Sequence, residues 1–351
     1  MDIGIALSSN SPDSAMYYHL LAEKLAVKMS DPVRKGEAMR QRGWNQFMMG
    51  NYPAALKTFK DILALIESVR SLAGGKRARK LEASTLGSLG NINLQQGDYP
   101  GALRYYFRSL KINEEEGNTY NRSVNLGNIG LVYANMNDPE KALEYYFKAL
   151  KLSREIGNEA QEISCLGNIG LLYRNTSRYD LALKYLHMAL KSDETNNDLG
   201  GQAVELGNIG LVYSDMGLEM RAQCKCGEDS GNYQMALQYL LRSLKLLEET
   251  GQIQYAGSIM GNIGFIYMQL SDHKLAEKYM LGALRSASEL NSLDDLKQAH
   301  LNLSDLYEKK RNHTGSLAHF KLYIAYRDSV FNEENTKRVV QAEMKFEFEK
   351  K

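Results

Sequence analysis

LGNIGLVY at Leu126–Tyr133 returns unchanged at Leu206–Tyr213, as LGNIGLLY at Leu166–Tyr173, and as MGNIGFIY at Met260–Tyr267. The last glycines of these copies are Gly130, Gly210, Gly170 and Gly264, and weaker copies put Gly43, Gly90 and Ser304 in the same register. In chain order the intervals are 47, 40, 40, 40, 54 and 40 residues, which is a 40-residue period carrying inserts of 7 and 14 residues. Twelve residues after the reference position stands a small residue: Ala55, Ala102, Ala142, Ala182, Ala276 and Ser316, with Ala236 equivalent once the longer insert is removed. Self-similarity at a fixed period of this length marks an array in which each unit buries its neighbour's face.

Each unit reads as two helices. Leu126, Ile129 and Tyr133 repeat at helical spacing in the first, and Ala142, Tyr146 and Ala149 form an i, i+4, i+7 stripe in the second. Between them lies a polar turn, Asn137-Asp138, followed by Pro139 at a position where a helix start tolerates proline. Gly157-Asn158 reads as the stop signal. A glycine inside a helix costs about 1 kcal/mol against alanine, so one that recurs at a single site implies close helix approach. Seven complete units are readable. Before them, Asp13–Met29 has the look of a second helix whose first partner would fall in residues 1–9, so residues 1–30 are a partial first repeat and 31–326 the array.

The pattern resembles the tetratricopeptide repeat family: a large residue, then Leu-Gly, then Tyr in the first helix, and Ala, an aromatic and Ala in the second. Leu126, Ile129-Gly130, Tyr133, Ala142, Tyr146 and Ala149 carry the resemblance, which extends over residues 13–326. It implies an all-α, right-handed superhelical solenoid. The period exceeds the family's usual 34 residues and the family's closing proline is missing, which fits lengthened second helices.

Composition excludes several classes. With 43 Lys+Arg and 42 Asp+Glu among 351 residues, no basic field points to nucleic acid. The longest apolar runs are far short of the ~20 residues of a membrane helix. The start, MDIGIALSSNSPDS, lacks a signal peptide's basic residues and apolar run. Three cysteines, Cys165, Cys224 and Cys226, cannot frame a disulfide scaffold. No nucleophile elbow, phosphate loop or HExxH occurs, and GNIG sits inside a helix with no strand before it, so neither an enzyme site nor a cofactor is expected.

In such a solenoid the first helices line the inner groove. Two places before the reference glycine stands an asparagine at Asn128, Asn168, Asn208 and Asn262, with Asn302 in register and Gln41 and Ser88 in earlier units. The family resemblance implies that this position faces the groove and holds a peptide backbone. A carboxamide offers donor and acceptor together, so it pairs with backbone groups whatever the ligand's sequence. The competing reading is architectural: the asparagines bond neighbouring helices. One turn further on, Asn135, Arg174, Asn175, Asp215 and Gln269 are polar and of mixed sign. A second glycine (Gly87, Gly127, Gly167, Gly207, Gly261) either deepens the groove or relieves crowding. The recurring tyrosines Tyr133, Tyr146, Tyr173, Tyr213 and Tyr267 read as core.

The shorter insert, Ser71–Lys80, reads as a flexible basic loop, and the longer, Leu218–Gly231, as a mobile loop between the helices of one unit. The longer insert holds Cys224 and Cys226, two thiols where structural zinc wants four ligands, so no metal site is assigned. Residues 327–351 form a C-terminal amphipathic helix, with Val340, Met344 and Phe348 four apart, acting as cap, connector or homodimer surface. The run Tyr323, Arg327, Asp328, Ser329, Phe331, Asn332, Glu333, Glu334 and Asn335 resembles the end of TPR sensor regions in Bacteroidetes-type membrane signalling proteins. There a helical connector leads to a membrane helix and a histidine kinase or DNA-binding output domain.

These readings together give a non-enzymatic binding module for a protein or peptide segment, the sensor or interaction region of a bacterial signalling protein. Its alternatives are a pure scaffold or a cytoplasmic peptide-pheromone-type regulator. The sensor reading implies the periplasm, the others the cytoplasm.

Overall fold

A computed structural model describes residues 12–68, 75–223 and 228–349. These residues form fifteen α-helices and no strand. In chain order they are α1 (Pro12–Lys28), α2 (Pro32–Met48), α3 (Tyr52–Ser68), α4 (Lys76–Gln95), α5 (Tyr99–Glu115), α6 (Thr119–Asn135), α7 (Pro139–Glu155) and α8 (Glu159–Asn175). Then follow α9 (Tyr179–Thr195), α10 (Leu199–Ala222), α11 (Glu228–Glu249), α12 (Ile253–Gln269), α13 (His273–Glu289), α14 (Leu293–Lys309) and α15 (His313–Glu349). The expected partial unit is present as α1; residues 1–9 lie outside the described residues. The chain forms two compact units, Met1–Cys165 and Leu166–Lys351, with the division inside α8.

The turns explain the regular spacing. A residue in the left-handed region follows most of the helices, for example Gly97 and Gly157, or Asn137 (φ 58°) and Asn291 (φ 51°). An Asp or Asn then caps many of the next helices. Asp98 accepts from the Gly101 N–H at 3.0 Å, Asp198 from Gly201 at 2.9 Å and Asp272 from Leu275 at 3.0 Å. Where both devices occur they satisfy the orphan carbonyls of one helix and the orphan amides of the next within three residues, so those turns are alike.

Within each hairpin the reference glycine admits a side chain from the second helix. A Cβ on Gly130 would stand 2.7 Å from the Tyr146 ring, and one on Gly90 2.5 Å from Tyr106. Leu186, Leu240 and Met280 occupy the same slot against Gly170, Gly210 and Gly264. Tyr106, Tyr146 and the alanines twelve residues past the glycine, such as Ala142, are buried. The second glycine serves the contact between hairpins. The space above Gly127 is filled by Gln161, that above Gly167 by Glu205 and that above Gly207 by Ile259, each from the following first helix. Crowding is therefore what it relieves.

Three expectations change. Of the tyrosines read as core, Tyr146 and Tyr173 are buried, but Tyr133, Tyr213 and Tyr267 are half-buried. They stack on second-helix tyrosines instead: Tyr133 on Tyr145 at 5.5 Å, Tyr213 on Tyr239 at 5.6 Å and Tyr267 on Tyr279 at 5.7 Å. Lysines lie over the ring faces, Lys141 5.1 Å from the Tyr133 centroid and Lys148 4.9 Å from that of Tyr145. The amphipathic ring keeps its hydroxyl end wet while its body packs.

The described parts of the inserts, Lys76–Lys80 and the residues on either side of 224–227, are mostly helical. α10 has 24 residues and α11 has 22, against 17 in most helices, so the longer insert extends both arms of its hairpin. Gly217 makes this extension dock, since Tyr233 packs where its Cβ would be. Cys224 and Cys226 lie outside the described residues. Of the shorter insert, Lys76–Lys80 begins α4, and its two arginines are paired with carboxylates while Lys76 and Lys80 are exposed. Arg77 pairs with Glu37 and with Asp31 at 3.5 Å, and Arg79 pairs with Glu115 and with Glu116 at 2.7 Å. Finally, the tail expected as a separate helix from residue 327 continues α15 without a break, because nothing in the sequence after Tyr323 stops a helix. The side chains of Val340, Met344 and Phe348 lie outside the described residues. No helix among the described residues is long and apolar enough to cross a membrane.

Candidate functional site

In the first unit, Gln41, Ser88 and Asn128, the register positions of three successive hairpins, line one open cleft of about 280 Å³. α2, α4 and α6 supply its walls, so consecutive first helices do share a face. Arg40 and Trp44, one turn apart on α2, also line it. Arg40 is the only charged residue of the lining, and no hydrogen bond or ion pair holds its guanidinium among the described residues. Burial lowers its pKa, with Glu37 acting in the opposite sense. A half-buried cation facing a cleft that has no carboxylate is an unmet electrostatic demand.

The floor is a hydrogen-bonded polar network, which fixes its shape. Ser109 Oγ donates to the Ala83 carbonyl at 2.7 Å and accepts from Asn125 Nδ2 at 2.9 Å. Asn113 Nδ2 donates to the Ser109 carbonyl at 3.0 Å. These three side chains are 5% exposed or less, so their polarity serves packing. Above them Tyr106 donates its hydroxyl to Asn91 Oδ1 at 2.6 Å, which orients a cleft-lining amide.

The second unit carries the other four register asparagines, Asn168, Asn208, Asn262 and Asn302, all half-buried. They are neither turned out to bulk water nor sealed between helices. Asn208 Nδ2 donates to Glu205 Oε2 at 3.3 Å, and Asn302 Oδ1 accepts from Gln298 at 2.9 Å. Those two bonds are within their own helices, so the architectural reading of a bond between neighbouring helices finds no example in this row. Asn128, Asn168 and Asn262 keep both amide ends available among the described residues.

The row one turn further on divides. Asn135 and Asn175 are exposed. Arg174, read as a groove cation, is instead spent on architecture: its Nε donates to Asp215 Oδ2 at 2.6 Å, tying α8 to α10. Gln269 is likewise engaged, accepting from Arg221 at 2.6 Å across from α10.

Two groups escaped the sequence reading. Arg40 and Trp44 precede the first strong copy of the repeat, yet they flank Gln41 at helical spacing, and that was the available signal. The other is a pair of buried acids, Asp193 and Glu205, which stand two periods after Asn113 and Asn125. Asp193 is 2% exposed and Glu205 7%, and Asp193 Oδ2 has no hydrogen-bond partner among the described residues. Burial, with Asp193 beside it, pushes the Glu205 carboxyl up to about 7; burial, with Asp198 nearby, pushes Asp193 up to about 6. Gly201 and Gly167 leave the room these carboxyls fill.

A further cleft of about 470 Å³ opens where the lengthened end of α10 overhangs the α8–α9 turn, with Arg178, Tyr179, Leu181, Met216 and Met220 in its lining. Among the described residues no three His, Cys, Asp or Glu side chains are placed to hold a metal ion.

Tetratricopeptide-repeat family models match residues 81–155, 122–195 and 257–289. No curated protein matches the sequence. Among solved structures, the fold is similar to a signal-transduction ATPase with numerous domains carrying a tetratricopeptide repeat sensor, from Pyrococcus horikoshii. That likeness has a TM-score of 0.67 and 17% identity, and covers 91% of this chain and 46% of that one. The apo form of RapI is similar at a TM-score of 0.63 and 17% identity, over 85% of this chain and 99% of that one. The Rap conjugation gene regulator of plasmid pLS20, solved in complex with the Phr* peptide, is similar at 0.58 and 15%, over 87% and 77%.

Proposed function

We propose that this chain, a tetratricopeptide-repeat protein, is a binding module that holds an extended peptide or protein segment against its first helices. The observation that carries the reading is the convergence of Gln41, Ser88 and Asn128 from three hairpins on one cleft, with Arg40 as its single unpaired charge. Carboxamides at successive hairpins suit a ligand main chain, whose donors and acceptors alternate along its length. The guanidinium adds a preference for an acidic group at one end of the segment. A role for Asn168, Asn208, Asn262 and Asn302 in the second unit, with Asn135 and Asn175 beside the row, belongs to the same proposal. Arg174 does not, since its charge is already met by Asp215.

Trp44 is the only tryptophan of the chain and stands in the cleft, so its fluorescence reports occupancy directly. Octapeptides chosen from an array by binding to the intact protein should shift Trp44 emission, and Asn128→Ala with Arg40→Ala should abolish both binding and shift. A segment that binds unchanged to that double variant, leaving Trp44 untouched, would place the interaction elsewhere and favour a scaffold working through its second helices. The signalling part of the reading rests on α15, which runs on past the last hairpin as one continuous helix and so offers a rigid lever. Fold likeness to the repeat sensor of an ATPase and to Rap regulators accords with it.

A further inference from the structure

The last hairpin departs from its predecessors at two positions that touch. Where the earlier first helices carry Leu166, Leu206 and Met260, α14 carries His300. Where the earlier second helices present Tyr185, Tyr239 and Tyr279 for stacking, α15 presents His319. The two imidazoles meet with Nδ1 2.8 Å from Nδ1 and ring centroids 5.1 Å apart. Tyr326 stacks on His300 at 5.5 Å and 6°, and Tyr307 on His319 at 5.4 Å and 28°. His300 is 6% exposed. In this hairpin both positions are histidines, joined by a nitrogen–nitrogen hydrogen bond with a tyrosine stacked on each ring.

Such a bond needs one N–H and one lone pair. It exists when the pair is neutral with one Nδ1–H, and also when the pair carries a single positive charge. It does not exist when both rings are imidazolium, because both Nδ1 atoms then donate. Among the described residues no carboxylate bonds to either imidazole to hold that second charge. Tyr307 from α14 and Tyr326 from α15 face the rings. Glu277 of α13 is reached only through the Tyr307 hydroxyl, from which it accepts at 2.8 Å, and its other oxygen accepts from Lys310 at 2.6 Å. Burial lowers the pKa of His300, the charge of His319 lowers it further, and burial lowers that of His319.

We propose that His300 and His319 form a proton-operated latch between α14 and α15, closed while the pair holds one Nδ1 proton and opened when it takes up the second. The latch governs the helix that continues beyond the array, and it operates whether or not the groove reading holds. Both imidazoles are lowered from 6.5 in the docked state, so docking is at full strength above pH 6.5 and weakens as pH falls below it. Where the docked pair holds one proton fewer than the released one, the opening constant rises about tenfold per pH unit.

Native-state hydrogen exchange on the intact chain, corrected for intrinsic rates, measures that constant for amides between Ser316 and Tyr326. From pH 6.5 to 5 it should rise with about that slope. In His300→Met with His319→Tyr, which puts at both positions the residues that the preceding hairpin carries there (Met260 and Tyr279), it should stay flat. An equal slope in both proteins, or no slope in the wild type, overturns the latch. Imidazole resonances of the wild type give an answer that needs no variant. Two coupled steps, the second well below 6.5, support the latch, whereas two independent titrations near 6.5 refute it.

Discussion

Replacing Glu205 with glutamine should make the second unit more stable in alkaline solution and leave it nearly unchanged in acid. The side chain is 7% exposed, and its carboxyl is raised from an ordinary 4.5 to about 7. An acid whose folded pKa lies above its unfolded one holds its proton longer in the folded state. The contribution it makes is therefore whole below about pH 4.5 and is lost as pH climbs to about 7. At about 1.4 kcal/mol per pKa unit, the penalty for an ionised Glu205 reaches roughly 3 kcal/mol above pH 7. Glutamine removes that penalty and keeps an amide where α6 already uses one, at Asn125. Hydrogen exchange of α10 amides, read as opening free energies from pH 5 to pH 8, gives the comparison locally. The variant's advantage should grow from about 1 kcal/mol at pH 5 to about 3 kcal/mol at pH 8. An advantage that is constant across this range would show that the carboxyl is not desolvated, and would remove the buried-acid argument altogether.

Other perturbations follow from the same geometry. Gly130→Ala drives a methyl group to within 2.7 Å of the Tyr146 ring, and should cost about 1–3 kcal/mol in urea unfolding followed by circular dichroism. Asn128→Ala should weaken a cleft-bound peptide by roughly 2- to 12-fold, the worth of one neutral hydrogen bond. Arg40→Ala should weaken a peptide with an acidic end by more, and its amide-ended analogue little; Trp44 fluorescence titration measures both. Asp215→Ala should cost only about 0.5 kcal/mol, because the Arg174 pair is partly solvated, and that cost should vanish in high salt.

The period, the two helices per unit and the small residues at the crossing were all readable in the sequence. Each is fixed by steric demands that every copy must meet alike: a glycine under Tyr146 and an alanine at Ala142 recur because hairpins stack only at one spacing. The half-buried placement of Asn128, Asn168, Asn208, Asn262 and Asn302 follows from that register too. The engagement of Arg174 is not legible in the sequence because its partner Asp215 stands 41 residues away, on the next first helix, and nothing in the local sequence marks it. The tyrosines were placed too deep for a related reason. A ring at helical spacing shows which face it is on, but only the neighbouring helix decides whether its hydroxyl reaches water. The longer insert was read as a loop, yet Gly217 and Tyr233 zip it into two extra helical segments once the hairpin forms.

Sequence alone therefore determined the repeating hairpin and the small residues at its crossing, since both are consequences of local spacing and side-chain size. Tertiary structure decided which charges stay free. Arg174 is consumed by Asp215, Arg77 by Glu37, and Arg40 is left open beside Trp44, because a charge's value depends on what the packed neighbour brings within hydrogen-bond reach and on how much water remains around it.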